Sequence, residues 1–274
     1  MTPKSKVIKH LLINHVGSGT QGIRCGPGQI SMLSQPAPHK SVNEDSTAAF
    51  ELSDTQCVLA IADGVGGAPL GHEASRLAIE AIEECLQDTH RGEALQSRIT
   101  DAFELAHHRI MMLDVGAATT FIVAEISDGV LRTYHVGDSG CLVCGQRGKL
   151  KLKTLLHSPS AYLEQAGLIT EQESLTHPKR HFVTNLVGIE EMTIDIGEPI
   201  KLAQNDTLLL GSDGVFDNAN TADLISAIRI GPLKKSGEQL QAQMLTAMAG
   251  ENPSLPGKPD DLSFIVYRTN KPGT

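Results

Sequence analysis

The chain has no tryptophan among its 274 residues, and aromatic side chains make up only 3% of it. A core without large rings must rest on Leu, Ile, Val and Ala, and so few aromatics leave no stacking platform for single-stranded bases. There is no basic block either: the formal net charge is -9, with 23 Lys and Arg against 32 Asp and Glu. That balance opposes a nucleic-acid surface or an acidic membrane surface. It is compatible with a carboxylate-lined site neutralised by cations. No apolar run approaches a membrane span, and the cluster His10 to Val16 is too short for a signal core with a cleavage site. A cytoplasmic protein without membrane contact is expected. The five cysteines, Cys25, Cys57, Cys85, Cys141 and Cys144, are odd in number and scattered, which argues against a disulfide framework. Cys141 and Cys144 form a lone CxxC within an apparent strand, where residues three apart face opposite ways, so they read as packing residues and not as zinc ligands.

What is present is enough apolar material, 40% of the residues, to build a substantial core in one large domain. Residues 1–28 read as a flexible or peripheral lead, followed by an edge strand at Gln29 to Leu33. A hairpin follows at Thr47 to Leu52 and Gln56 to Ala62. Two helical patterns, His72 to Thr89 and Glu93 to Leu113, carry apolar residues at helical spacing. The adjacent His107 and His108 on the second point different ways and make poor co-ligands. A β block then covers Ala117 to Ile126, Val130 to Val136, Gly140 to Cys144 and Lys149 to Leu155. Residues 157–188 form an irregular insertion with a short helix near Ser160 to Ala166. Strands are expected at Met192 to Ile196, Asp206 to Leu210 and Leu262 to Tyr267. Helices are expected at Leu224 to Ile230 and Glu238 to Ala249, with a Pro/Gly-rich loop from Glu251 to Lys258. No repeat or linker divides the chain, so one domain, 1–274, is expected. The order of elements predicts an α+β fold of two antiparallel sheets covered by helices.

The stretch Val58–Gly67 is an apolar strand that stops at Asp63 and runs into Gly64, Val65, Gly66 and Gly67. Alone, Asp-Gly is a common turn dipeptide. The same device recurs, however. Asp213 follows the apolar run Leu208 to Leu210, Asp138 follows the strand Val130 to Val136, and Asp45 and Asp260-Asp261 each precede a strand. Carboxylates gathered at strand ends repel one another unless cations neutralise them. With no Cys/His cluster competing, Mg²⁺ or Mn²⁺ is the natural occupant. Two such ions about 3.5–4 Å apart can activate a bridging water and clamp a phosphoryl group.

In order along the chain, Asn43-Glu44-Asp45, Asp63-Gly64-Val65-Gly66-Gly67, Ala118-Thr119-Thr120, Gly137-Asp138-Ser139, His177-Pro178-Lys179-Arg180, Ser212-Asp213-Gly214 with Asp217, and Asp260-Asp261-Leu262-Ser263 resemble the motifs of the metal-dependent type 2C serine/threonine protein phosphatases, in particular the bacterial branch. The resemblance runs from about Gln29 to Tyr267. It implies a four-layer α-β-β-α sandwich with a dimetal centre at one end of the sheets. By position, Asp63 would bridge two Mn²⁺ or Mg²⁺ ions, with the Gly64 carbonyl completing one sphere. Asp213 and Asp260 would hold one ion, and Asp45 and Glu44 would serve the other, partly through waters. Asp138 and Asp213 resemble the pair that binds a third, weaker ion in some relatives. Residues 157–188 would be the mobile flap beside the site.

Three positions depart from the family's pattern. Lys40 stands where a phosphate-binding arginine is usual, and lysine offers a point charge in place of a bidentate fork. Val65 stands where many eukaryotic relatives have histidine, and Gly140 where arginine commonly follows Gly-Asp-Ser. The resemblance implies hydrolysis of phosphoserine and phosphothreonine in proteins through a metal-bridging hydroxide, with Lys40 anchoring phosphate. It also implies a phosphoprotein substrate and a cognate serine/threonine kinase; nothing in the sequence demands more than a monomer, so a monomer is expected. The altered Lys40 and Gly140 motivate the alternative of a catalytically weak pseudophosphatase serving as a regulatory binding module.

Overall fold

The computed structural model describes residues 7–17, 21–87, 94–251 and 257–269. The ends expected for the two long helices at Thr89 and Glu93, and most of the Pro/Gly-rich loop before Lys258, lie outside the described residues. Within them the chain runs β1 (Ile8–Ile13), β2 (Gln21–Cys25), β3 (Gly28–Gln35), β4 (Asp45–Glu51), β5 (Gln56–Asp63), α1 (Gly71–Gln87) and α2 (Leu95–Met111). There follow β6 (Phe121–Ser127), β7 (Val130–Val136), β8 (Gly140–Cys144), β9 (Leu150–Lys153), α3 (Pro159–Gln165), α4 (Glu171–Leu175), β10 (Asp195–Ile196) and β11 (Ile200–Lys201). The chain closes with β12 (Thr207–Gly211), α5 (Asp213–Phe216), α6 (Thr221–Ile228), α7 (Leu233–Met248) and β13 (Leu262–Thr269).

The strands make two antiparallel sheets. One has the order β1-β4-β5-β6-β7-β10, with β11 also paired to β7; the other has the order β2-β3-β13-β12-β8-β9. Helices α1 and α2 cover the outer face of the first sheet, and α5, α6 and α7 that of the second. The expected four-layer α-β-β-α sandwich is therefore the observed one.

Strand β5 shows how a continuous apolar run builds this. Cys57, Leu59 and Ile61 point into the layer between the sheets, while Val58, Ala60 and Ala62 point to the layer under α1 and α2. Both faces are buried, so the strand reads as unbroken hydrophobicity and not as alternation. Small residues compensate for the scarcity of aromatics: Ala48, Ala60 and Ala62 share a core layer with Ala74, Ala78 and Ala81 of α1. Cys141 faces the layer between the sheets and Cys144 the layer under α6 and α7, so both are packing residues as expected.

Several local expectations change. The lead before Gly28 supplies the edge strand of each sheet, β1 and β2, and β3 is consequently internal. Strand β1 lies at a sheet edge, which leaves Ile8 exposed and breaks the apolar alternation by which a strand is recognised. Strand β6 begins at Phe121 and not at Ala117, because Thr119 bridges Gly64 and Val187 instead of continuing the ladder. The strand expected at Met192 to Ile196 shrinks to Asp195–Ile196, and β11 joins it along β7. The insertion holds a second helix, α4, whose start is fixed by a reciprocal capping pair between Thr170 and Glu173.

Candidate metal centre

Asp45 opens β4 and Asp63 closes β5, and the antiparallel register sets them opposite each other. Asp45 is fully buried, and neither of its carboxylate oxygens has a hydrogen-bond partner. An ionised carboxylate left so is costly. Asp63 is held from behind by the Thr119-Thr120 pair. Its N–H donates to Thr120 Oγ1 at 3.1 Å. Its carbonyl accepts from the Thr119 hydroxyl at 2.8 Å and from the Thr120 N–H at 2.8 Å. Thr120 Oγ1 in turn meets Ser139 Oγ at 2.7 Å. The Ala-Thr-Thr and Gly-Asp-Ser motifs thus form one brace behind Asp63.

The second sheet supplies the remaining acids. Asp213 is the first residue of α5, directly after β12, and Asp260 lies just before the neighbouring β13. Asp138 sits in the turn that leaves β7 of the first sheet for β8 of the second. Burial, followed by the charges of Asp45, Asp213, Asp260 and Asp138, pushes the Asp63 carboxyl well above the usual range. Asp45 is raised well above it by burial and by Asp261, Asp213 and Asp260, against the opposing effect of the Ser263 hydroxyl. Asp138 is raised likewise by burial, Asp213 and Asp217. The five aspartates expected from the sequence therefore share one electrostatic cluster.

Glu44 and Lys40 stand at its edge. Lys40 Nζ lies 3.3 Å from Glu44 Oε2, 3.7 Å from Asp261 and 3.9 Å from Asp260, and the lysine side chain is 42% exposed. Burial lowers the Lys40 pKa, but those three acids outweigh it and hold it above the ordinary lysine value. Asp261 has a different task from its neighbour. Its two oxygens accept the backbone N–H groups of Ala37 and Glu44, each at 2.7 Å, which fixes the loop carrying Lys40 and Glu44.

Sequence reasoning missed Lys258. Its ammonium pairs with Asp213, with Asp217 Oδ2 at 3.0 Å and with Asp260 Oδ2 at 3.3 Å. The only sequence signal was one cation two residues before Asp260, in a loop read for its prolines and glycines. Also missed was the tie between the insertion and the Asp138 turn. The N–H of Gly137 donates to His157 Nδ1 at 3.0 Å, and the Gly137 carbonyl accepts the His157 N–H at 3.1 Å. The His157 ring stacks on His135 at 4.6 Å and turns Nε2 to Asp195 Oδ2 at 3.2 Å. With Nδ1 already accepting an N–H, Nε2 carries the proton, so this trio is a hydrogen-bonded strut and not a ligand set.

Two glycines are set by close approach. A Cβ on Gly64 would lie 2.2 Å from the Gly71 carbonyl oxygen and 2.8 Å from that of Glu44. One on Gly140 would lie 2.8 Å from the Leu156 side chain and 2.9 Å from the Phe216 ring, so any larger residue here requires those side chains to move. A cavity of about 260 Å³ opens beside the acids, between the insertion and α6, lined in part by Leu156, Glu171, Leu175, Phe216 and Asp217.

The donor set consists of carboxylates, with a backbone carbonyl available at Gly64. Unsatisfied Asp45 oxygens and mutually raised carboxyls fit hard divalent cations, which take oxygen ligands. A family model described as protein phosphatase 2C matches residues 37–248, well over half of the chain.

The chain belongs to the protein phosphatase 2C family.

Its family makes it a protein phosphatase. The serine/threonine phosphatase stp of Listeria welshimeri is 27% identical over 183 residues, covering 63% of this chain and 72% of the relative. Serine/threonine phosphatase Stp1 of Staphylococcus aureus superposes with a TM-score of 0.78 at 22% identity, over 93% of this chain and 100% of that one. The catalytic domain of the serine/threonine phosphatase PstP, solved with two manganese ions, gives a TM-score of 0.70 at 23% identity, over 87% and 96%. The sandwich is the phosphatase fold, and nothing in these matches favours a non-catalytic binding module.

Proposed function

We propose that Asp45, Asp63, Asp213 and Asp260 hold two Mn²⁺ or Mg²⁺ ions, with Glu44 and the Gly64 carbonyl completing the spheres, and that the enzyme removes phosphate from phosphoserine and phosphothreonine in protein substrates. Bound there, the ions supply positive charge and an activated water for attack on phosphorus. Asp63, facing Asp45 and reached by the fields of Asp213, Asp260 and Asp138, has the central position that a shared ligand needs. The Thr119-Thr120 brace keeps its backbone from shifting as the charge of the site changes. Lys40, half in solvent at the edge, is placed to meet phosphoryl oxygens as a point charge.

The observation that carries this reading is Asp45: a carboxylate wholly enclosed, with no hydrogen bond within 3.5 Å to either oxygen and only the Ser263 hydroxyl to ease its charge, inside a cluster of other acids. We further infer that residues 157–188 act as a flap beside the centre, moving against the His157–Gly137 tie, and that the whole chain works as one catalytic unit. A monomeric, cytoplasmic enzyme opposed to a serine/threonine kinase fits the rest. No helix among the described residues is long and apolar enough to cross a membrane, and Cys25, Cys57, Cys141 and Cys144 are buried free thiols.

Hydrolysis of p-nitrophenyl phosphate and of phosphothreonine peptides is expected to require Mn²⁺ or Mg²⁺ and to collapse in Asp63→Asn and Asp213→Asn. Full activity in both variants would sink the assignment, and turnover of phosphotyrosine peptides alone would overturn the substrate class.

A further inference from the structure

The two halves of the acid cluster are neutralised differently. Asp45, on the first sheet, has no cation beside it and no hydrogen bond within 3.5 Å, only the Ser263 hydroxyl easing its charge. Asp213, Asp217 and Asp260, on the second, already share an ammonium group: Lys258 Nζ pairs with Asp213 and lies 3.0 Å from Asp217 and 3.3 Å from Asp260. The field of the same lysine also reaches Asp138, where it opposes the effect of the surrounding carboxylates.

Lys258 is not a surface side chain that has drifted inward. Its side chain is 18% exposed, against 42% for Lys40. Its backbone is clamped by Asn218, which is 1% exposed. Asn218 Oδ1 accepts the Lys258 N–H at 2.9 Å, and Asn218 Nδ2 donates to the Lys258 carbonyl at 2.9 Å. The same amide nitrogen donates to the Gly214 carbonyl at 3.1 Å, so one side chain fixes the lysine loop relative to the turn that presents Asp213. The preceding Gly257 is held close as well: a Cβ there would meet the Ala247 carbonyl oxygen at 2.1 Å. Fixed at both levels, the ammonium has a built position among the carboxylates.

We propose that Lys258 is the resident cation of the Asp138, Asp213 and Asp217 flank, so that this phosphatase binds two divalent ions and takes no third one there. Lys258 also touches Asp213 and Asp260 of the dimetal centre, but an ion there has Asp63 as a further carboxylate with no such competitor. An ion on the outer flank would instead depend on Asp217 and Asp138 beside the ammonium, and like charges at that range repel. Asp45 and Asp63 carry no such competitor and remain open to exchangeable ions. The inference rests on the metal reading given above and goes beyond it by fixing the number of ions and the residue that limits it.

The test is a Mn²⁺ titration of the full chain by calorimetry, with native mass spectrometry to count bound ions. Wild type is expected to stop at two ions, Lys258→Met to take three, and Lys258→Arg, which keeps the charge, to stop at two. Should Lys258→Met fail to fold by circular dichroism, Lys258→Gln takes its place. A count of two in wild type and in the neutral variant alike overturns the role of Lys258 while leaving the dimetal reading intact, and so does a count of three in wild type. Wild type that binds no Mn²⁺ overturns the metal reading itself and this inference with it.

Discussion

Asp45 and Asp63 face each other across adjacent antiparallel strands, and after burial it is the charge of Asp45 that does most to raise the Asp63 carboxyl. Two acids brought together by register alone leave the metal-free fold carrying an uncompensated repulsion. Replacing one by its amide should therefore have opposite effects on binding and on stability. In Asp45→Asn, Mn²⁺ affinity measured by calorimetry is expected to fall at least ~10-fold, the lower end of what even supporting residues of a metal site cost. The metal-free melting temperature is expected to rise, by roughly 2–4 °C for each kcal/mol of repulsion relieved in a domain of this size. A lower metal-free melting temperature would show that Asp45 is satisfied in some other way.

Thr120 joins the Asp63 backbone to Ser139 through its hydroxyl. Thr120→Val keeps the shape and removes the hydroxyl, leaving the Asp63 N–H and Ser139 Oγ without that partner. Metal affinity or kcat should drop about 10- to 100-fold, and stability by about 1–3 kcal/mol. Thr120→Ser should recover most of both. A variant that loses stability and keeps its Mn²⁺ affinity would make the brace purely structural.

Lys40 is exposed enough to meet substrate and is already drawn to three acids. Lys40→Ala is expected to raise KM for phosphopeptides with a smaller change in kcat. Lys40→Arg should lower KM below the wild-type value, because a planar fork grips phosphate with two parallel bonds. Steady-state kinetics on one phosphothreonine peptide decides the matter, and equal KM values in all three proteins would remove Lys40 from the site.

Gly64 admits no side chain. The clash of an added methyl is with the backbone oxygens of Gly71 and Glu44, which cannot rotate away. Gly64→Ala is expected to displace the loop that follows Asp63, abolish Mn²⁺ binding and lower the melting temperature. Normal calorimetry in this variant would contradict the close approach.

His135 gives the fold an acid-sensitive point. Burial holds its pKa below the ordinary 6.5, with His157 adding to the effect and the Leu155 carbonyl and Asp195 opposing it. The unfolded chain then takes a proton before the folded one does. The stability tied to neutral His135 is fully present above pH 6.5 and is lost as pH falls through the lower folded value. Chemical denaturation between pH 7 and pH 5 should show a steeper loss in wild type than in His135→Gln. Parallel curves would leave the histidine without a part in acid lability.

The sequence made the layers and the acid-bearing loops legible for a physical reason. Strands buried on both faces leave long apolar runs, and Asp-Gly ends such a run abruptly, so Asp63 and Asp213 were visible at once. What stayed hidden depends on approach in space. Lys258 lies near Asp260 in sequence, but its partnership with Asp213 and Asp217 exists only because Asn218 clamps its loop. At Gly140 the sequence shows only a departure from the family pattern, and the approach of the Leu156 and Phe216 side chains exists only in the fold. Strand β1 shows nearly the reverse case, a real strand whose edge position blurs its pattern.

The acids come from both sheets: Asp45 and Asp63 belong to one, Asp213 and Asp260 flank strands of the other. Ions bound between them, as proposed, would latch the sandwich shut at one end, since ligands that bind only the folded state deepen its well. The lifetime of the fold against proteases is then set in part by how long an ion stays. A cell short of divalent cations would lose the enzyme by degradation as well as by inactivity.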